Sequence, residues 1–251
     1  MSDPESSTVT ASISGQPAWV AISGLMISWN PPNTIIGTFL INAMISDGVN
    51  TVSTSFNIIV TNASPSFTAP PTDQTISAGA TLTYPLPTTI DAEGNTVTIT
   101  CVTCSGSISG TNYVWSSTYL MKGTYPVTIA ISDGVNAQIT YSFNVIVTNL
   151  PPLFSPLPVD QNAIADSIST DYILPPLSDP EGAPVTLALV TGPTYVTLSG
   201  SILSINPLTS DPAGTFPVTV SLSDGVNVPA VYIFNVIVTN QPPAFASTLV
   251  N

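Results

Sequence analysis

The chain has 251 residues, 14 acidic side chains and a single cation, Lys122, with no Arg and no His, for a net charge of −13. Nothing in it can neutralise phosphate, which excludes nucleic acid and anionic membranes as partners and favours a cation. Without His there is neither a Ser-His-Asp nor a Cys-His arrangement, and no apolar run approaches the roughly 20 residues of a membrane span.

Charged residues make up 6% of the chain, where about 25% is usual. A lone monomer with so few charges has a poorly protected surface, so much of that surface is expected to be covered by neighbouring subunits or by glycan. Lys122 is the one tryptic site, which suits an extracellular or cell-surface life. No secretory signal is visible at Met1.

In chain order, residues 1–62 read as an incomplete first repeat. Its stretches 8–13, 24–29 and 38–45 alternate polar and apolar residues between Gly and Pro punctuation, the pattern of strands. The second repeat, 63–149, predicts strands over 81–86, 96–102, 107–109, 113–116, 123–131 and 137–148. The third, 150–240, runs in step with it, and residues 241–251 read as the link to a following repeat and its first strand. No stretch carries helix caps and a 3.6-residue period.

Each repeat contains Ser-Asp-Gly-Val-Asn, at 46–50, 132–136 and 223–227, followed by an apolar run that ends in Val-Thr-Asn. Asp47 and Asp133 lie 86 residues apart, Asp133 and Asp224 91. A period near 90 with six or seven short strands predicts tandem antiparallel β-sandwiches in an all-β chain. Phe56, Ile58, Val60, Phe143, Val145, Val147, Phe234, Val236 and Val238 alternate, as the buried face of a strand does.

The first repeat lacks counterparts of the opening strands near Leu82 and Tyr172, because Ser2 to Glu5 align with Ser178 to Glu181. Two explanations stand side by side. The residues are a window of a longer repetitive chain, whose neighbouring repeats cover the gap. Or the C-terminal tail of one copy, through Phe245, Leu249 and Val250, helps to complete the first repeat of the next, building a head-to-tail homopolymer by strand addition.

Cys104 aligns with Gly15 and Gly192, a turn position, so a local disulfide from Cys101 across that turn is expected, with two free thiols as the alternative. Asn62-Ala63-Ser64 is an N-glycosylation sequon. Trp19, Trp29 and Trp115 read as core aromatics or as a sugar-stacking platform. The paired carboxylates recur in every repeat, whereas an enzyme places its catalytic acids once. The chain is therefore read as non-enzymatic.

The run Pro-Pro-x-Phe, Asp-Gln, Leu-Pro, Asp-Pro-Glu-Gly, Gly-Thr-Phe, Ser-Asp-Gly, Phe-Asn-Val-Ile-Val-Thr-Asn resembles the dystroglycan-type cadherin-like repeats, also described as Ig-like, of large cell-surface proteins. Gln16 to Val20 resemble that family's Pro-x-Trp-Leu segment, and Tyr195 takes the Trp place in the third repeat. The resemblance implies Ig-like or cadherin-like sandwiches with calcium at the junctions. Its ligands would be Asp91, Glu93, Asp133 and Asn62 at one junction, and Asp179, Glu181, Asp224 and Asn149 at the next. Asp3, Glu5 and Asp47 take these places in the first repeat. The linkers keep one Asn and lose the acidic run of cadherins, which leaves one ion per junction rather than a cluster.

The acids also speak without the family. Eleven of the 14, including Asp73 and Asp160, sit at repeated positions. Carboxylates that meet with no cation of the chain beside them suit calcium. Asp-Gly and Asp-Pro-Glu-Gly are equally strong turn sequences, so turn capping is the alternative. The function expected is a structural unit of an extracellular filament, stalk or surface layer. A cell-surface adhesion module binding a protein or glycan is the alternative.

Overall fold

The structure, a computed structural model, describes residues 8–241. The chain is all-β over these residues, in short strands separated by turns. It packs as two compact units, and the division runs through the middle repeat. One unit holds the chain up to Asp73, with Thr83–Val114 and Pro126–Asn144; the other holds Gln74–Leu82, Trp115–Tyr125 and the chain from Val145 onward.

In the first unit, the first repeat supplies β1 (Thr10–Ser14), β2 (Val20–Ser23), β3 (Met26–Trp29), β4 (Gly37–Ser46) and β5 (Thr51–Val60). Strands β1, β4 and β5 form one antiparallel sheet in that order, and β2 and β3 form a hairpin. Their shared core is small: Val20, Ile41 and Ile58 are buried, with Ile13, Trp19, Ile27, Phe56 and Val60 packed partly against them.

The second repeat contributes β6 (Ser66–Phe67), β7 (Gln74–Ser77), β8 (Thr81–Pro85), β9 (Thr89–Ile90), β10 (Thr98–Thr103), β11 (Ser107–Ser109), β12 (Asn112–Ser116), β13 (Gly123–Ser132) and β14 (Ile139–Thr148). The third contributes β15 (Leu153–Phe154), β16 (Gln161–Ile164), β17 (Thr170–Ile173), β18 (Leu177–Ser178), β19 (Thr186–Thr191), β20 (Val196–Ser199), β21 (Ile202–Ile205), β22 (Gly214–Ser223) and β23 (Ala230–Thr239). Strand order β10-β13-β14-β7 in one repeat matches β19-β22-β23-β16 in the other, and β11-β12-β8 matches β20-β21-β17. In the third repeat the two sheets close on one core in which Leu203, Ile205, Val218, Val220, Leu222 and Val236 are fully buried.

Several elements differ from the sequence reading. The hairpin strand β2 and the short strands β6, β7, β9, β16 and β18 escape a pattern search, since two to four residues are too few for alternation to show. Two of the edges are parallel: β7 lies parallel to β14 through Val145–Thr148, and β16 parallel to β23. In each case six strands intervene along the chain between the partners, which leaves ample length for the crossover that parallel pairing requires.

Cys101 and Cys104 are bonded, with their Cα atoms 6.0 Å apart. Cys104 lies just past the end of β10, where the chain bends, and within the strand the register of β10 against β13 slips between Cys101 and Thr103, as that of β19 slips at the matching place between Leu189 and Thr191. A bulge shortens the path along the strand enough for residues three apart to be bridged.

Candidate functional site: the Asn–Asp junctions

The repeated Ser-Asp-Gly-Val-Asn segment forms the same turn three times. Gly134 holds φ +79° at its tip, a left-handed conformation that Gly adopts without penalty. Asp133 Oδ1 accepts from the backbone N–H of Val135 and of Asn136, both at 2.9 Å. Asp224 Oδ1 does the same for Val226 and Asn227, and Asp47 Oδ1 for Val49 and Asn50. These carboxylates are therefore turn caps. The N–H groups of Asn50 and Val49 hold Asp47 below its ordinary pKa. The N–H of Val135 does so first for Asp133. At Asp224 burial pushes upward, and the N–H groups of Asn227 and Val226 outweigh it.

The last residue of that motif reaches into the preceding linker. In the first unit the Asn136 amide donates to Asn62 Oδ1 at 2.6 Å and to Ala63 O at 3.1 Å, while Asp133 Oδ2 holds the same nitrogen at 2.8 Å. Asn62 Nδ2 in turn donates to Asn33 O at 2.9 Å and to Asn95 Oδ1 at 3.1 Å. The linker N–H of Ala63 is taken by Glu93 Oε2 at 3.0 Å.

The second unit repeats the arrangement. Asn227 Nδ2 donates to Asn149 Oδ1 at 2.5 Å and to Asp224 Oδ2 at 2.6 Å. Asn149 is buried, and its Nδ2 donates to Tyr119 O at 2.8 Å. The N–H of Leu150 is taken by Glu181 Oε2 at 3.1 Å. Here Lys122, the chain's one cation, donates to Asn227 Oδ1 at 2.6 Å.

Asp91 and Asp179 organise the neighbouring turn. Asp91 Oδ1 accepts from Glu93 N and Asn95 N; Asp179 Oδ1 accepts from Glu181 N and Ala183 N. Their second oxygens, Asp91 Oδ2 and Asp179 Oδ2, are buried with no hydrogen-bond partner. A buried carboxylate oxygen left alone is costly, and a hard cation satisfies it. Among the described residues no three of His, Cys, Asp and Glu come together as a group that could hold a metal ion, so a cation at either oxygen would take most of its ligands from carbonyl groups and water.

Asp91, Glu93, Asp133 and Asn62 are thus brought to one junction, and Asp179, Glu181, Asp224 and Asn149 to the other, most of them as hydrogen-bond partners. Asp47 caps its own turn. Asp3, Glu5, Phe245, Leu249 and Val250 lie outside the described residues. At the sequon, Asn62 Nδ2, the atom a glycan would take, donates to Asn33 O and Asn95 Oδ1. Asp73 and Asp160, which also recur, pin the parallel edges: Asp73 Oδ1 takes Asn144 N, and Asp160 Oδ1 takes Asn235 N, each at 2.7 Å. The residues that sequence reasoning passed over are Asn136 and Asn227. Their recurrence in the motif, as regular as that of the Asp, was the available signal.

The first repeat differs in what covers its core. Trp29 is 55% exposed, whereas Trp115 and Ile205, at the matching places of β12 and β21, are 6% and 0% exposed. It borders a cavity of about 390 Å³ with Trp19. In the third repeat β17 flanks β21 and β16 flanks β23; among the described residues β3 and β5 have no such neighbours.

No family model matches the chain, and no curated protein does by sequence. Among solved structures it is similar to mouse cadherin-23 EC22-24, at 13% identity and a TM-score of 0.41, over 93% of this chain and 86% of that one. It is similar to mouse protocadherin-24 EC1-3 at 16% identity and a TM-score of 0.40, over 92% and 90%. An endo-fucoidan hydrolase of glycoside hydrolase family 107 matches at 22% identity and a TM-score of 0.35, over 96% of this chain and 40% of the enzyme. The chain thus spans about two fifths of that hydrolase.

Proposed function

We propose that this chain is a non-catalytic structural unit of an extracellular filament, stalk or surface layer, made of three repeats at 1–62, 63–149 and 150–240 and joined head to tail with further copies. One observation carries the reading. The side chains that recur from repeat to repeat are spent on the linkers: Asn136 on Asn62 and Ala63, Asn227 on Asn149, Glu93 and Glu181 on linker N–H groups. A chain that repeats its polar residues in order to fasten one repeat to the next is built to transmit position and load.

Calcium enters this reading as one ion per junction, held through Asp91 Oδ2 and Asp179 Oδ2. Removing it leaves the amide bonds in place, so its effect is to stiffen rather than to assemble. Calorimetry of the purified chain in calcium and in chelator tests this part: an upward shift in calcium that Asp179→Asn reduces supports it, and identical curves remove the ion. Electron microscopy of the same samples tests the whole reading. Filaments with a regular axial repeat support it, and dispersed particles at every concentration sink it.

A cell-surface adhesion module is the second reading, favoured by Trp29 standing exposed beside its cavity. An indole face open to water is the surface on which sugar rings stack. Quenching or a blue shift of Trp fluorescence with added oligosaccharide, lost in Trp29→Ala, is its expected signature.

A further inference from the structure

The two junctions share one design, and among the described residues each half of that design also occurs once with no mate. The acceptor half is the linker Asn: Asn62 and Asn149 are both engaged, whereas Asn240, at the same place after β23, is exposed. The donor half is the Asp–Asn turn. In the second and third repeats the Asp is buried, 7% exposed at Asp133 and 5% at Asp224. In the first repeat the turn has the same internal hydrogen bonds, Asp47 Oδ1 to Val49 N and Asn50 N. There the Asn50 amide donates to Asp47 Oδ2 at 3.3 Å, and among the described residues no linker Asn receives it. Val49 is 89% exposed, while Val135 and Val226 are partly covered.

We propose that the Asp47–Asn50 turn is a docking surface for the linker of a second copy of this chain, the Asn50 amide donating to Asn240 Oδ1 of that copy as Asn136 donates to Asn62 and Asn227 to Asn149. The occupant follows from identity of parts: the chain already shows, twice, what this turn binds, and among the described residues Asn240 is a third linker Asn of the same kind, exposed. The interface is heterologous, since turn and linker are different surfaces, so each added copy exposes a fresh half and growth stays open. Docking also covers Val49. The inference rests on the head-to-tail reading above and names the surface it uses.

Both side chains are exposed, and Asn50 keeps its turn through its backbone N–H, so Asn50→Ala and Asn240→Ala are expected to fold with melting temperatures close to the parent. Sedimentation velocity of the full chain and of each variant, alone and mixed in equal amounts, tests the inference. The parent is expected to form species beyond the dimer. Each variant alone is expected to stay monomeric, because one half of every contact is missing. The mixture is expected to stop at a dimer, joining the intact Asn240 of one variant to the intact Asn50 of the other. Variants that assemble as the parent does overturn this docking surface and leave head-to-tail assembly standing. A parent that is monomeric at all concentrations overturns both.

Discussion

At the scale of single residues, an Asp and an Asn three positions apart divide two tasks between them. The Asp fixes the turn by taking two backbone N–H groups, and the Asn, held by the carboxylate's other oxygen, is aimed at the linker. Asp133→Ala removes three hydrogen bonds at once and is expected to cost about 1–3 kcal/mol in chemical denaturation, with the effect spreading to the Asn62 contact. The same carboxylates set an acid limit. Asp47, Asp133 and Asp224 are all held below the ordinary 3.8 in the folded chain. Their contribution to stability is present above that value and is lost as the pH falls through the lowered values. Melting temperature is therefore expected to drop below pH 3.8, and in Asp133→Asn that drop is expected to be shallower. Core positions act more simply. Val145 is fully buried on β14, and Val145→Asp places a charge there at a cost of more than ~5 kcal/mol, comparable to a whole domain's stability. A melting curve equal to the parent's would refute that placement.

Among the elements, the turn after β7 shows how sheet and junction are coupled. Gly79 has φ +78°, and a Cβ built on it would collide with the ring of Tyr119. The backbone carbonyl of Tyr119 is the acceptor for Asn149 Nδ2. Gly134 has the same backbone angle with open space around it. Both Gly→Ala changes carry the left-handed penalty, about 1 kcal/mol, and only Gly79→Ala adds the displacement of Tyr119. Gly79→Ala is thus expected to destabilise by clearly more than Gly134→Ala in parallel urea melts. Equal losses would detach the β7 turn from the junction.

For the molecule as a whole, the junction hydrogen bonds predict that neighbouring repeats melt together. Asn149 is 4% exposed and Asp224 5%, so their amide and carboxylate contacts are shielded from water and worth more than surface bonds. Asn227→Ala is expected to split or broaden the calorimetric transition, because the linker loses its donor while both adjoining cores stay intact. An unchanged single transition would mean that cooperativity travels by another route. The low charge of the chain fits the same picture, with polar groups that bond one another across junctions in place of ionic groups that bond water.

The longer strands, the three-fold recurrence of Ser-Asp-Gly-Val-Asn, the buried alternation of Phe143, Val145 and Val147, and the all-β class were legible in the amino-acid order, because they depend on neighbours two residues apart and on exact recurrence. The motif acids were legible as a set but not as a role. Whether Asp133 caps a turn or faces a cation depends on which N–H groups lie within 3 Å of it, and that is decided by the backbone angle at Gly134 and by the placing of Asn136, whose amide meets a linker 74 residues away. The parallel edges β7 and β16 were hidden for a related reason: a four-residue strand takes its place from the strand it joins, which is far along the chain. The Asn contacts across each linker, and the exposure of Trp29 where Trp115 and Ile205 are covered, belong to the tertiary structure alone. Both are properties of surfaces that meet only when the repeats have folded.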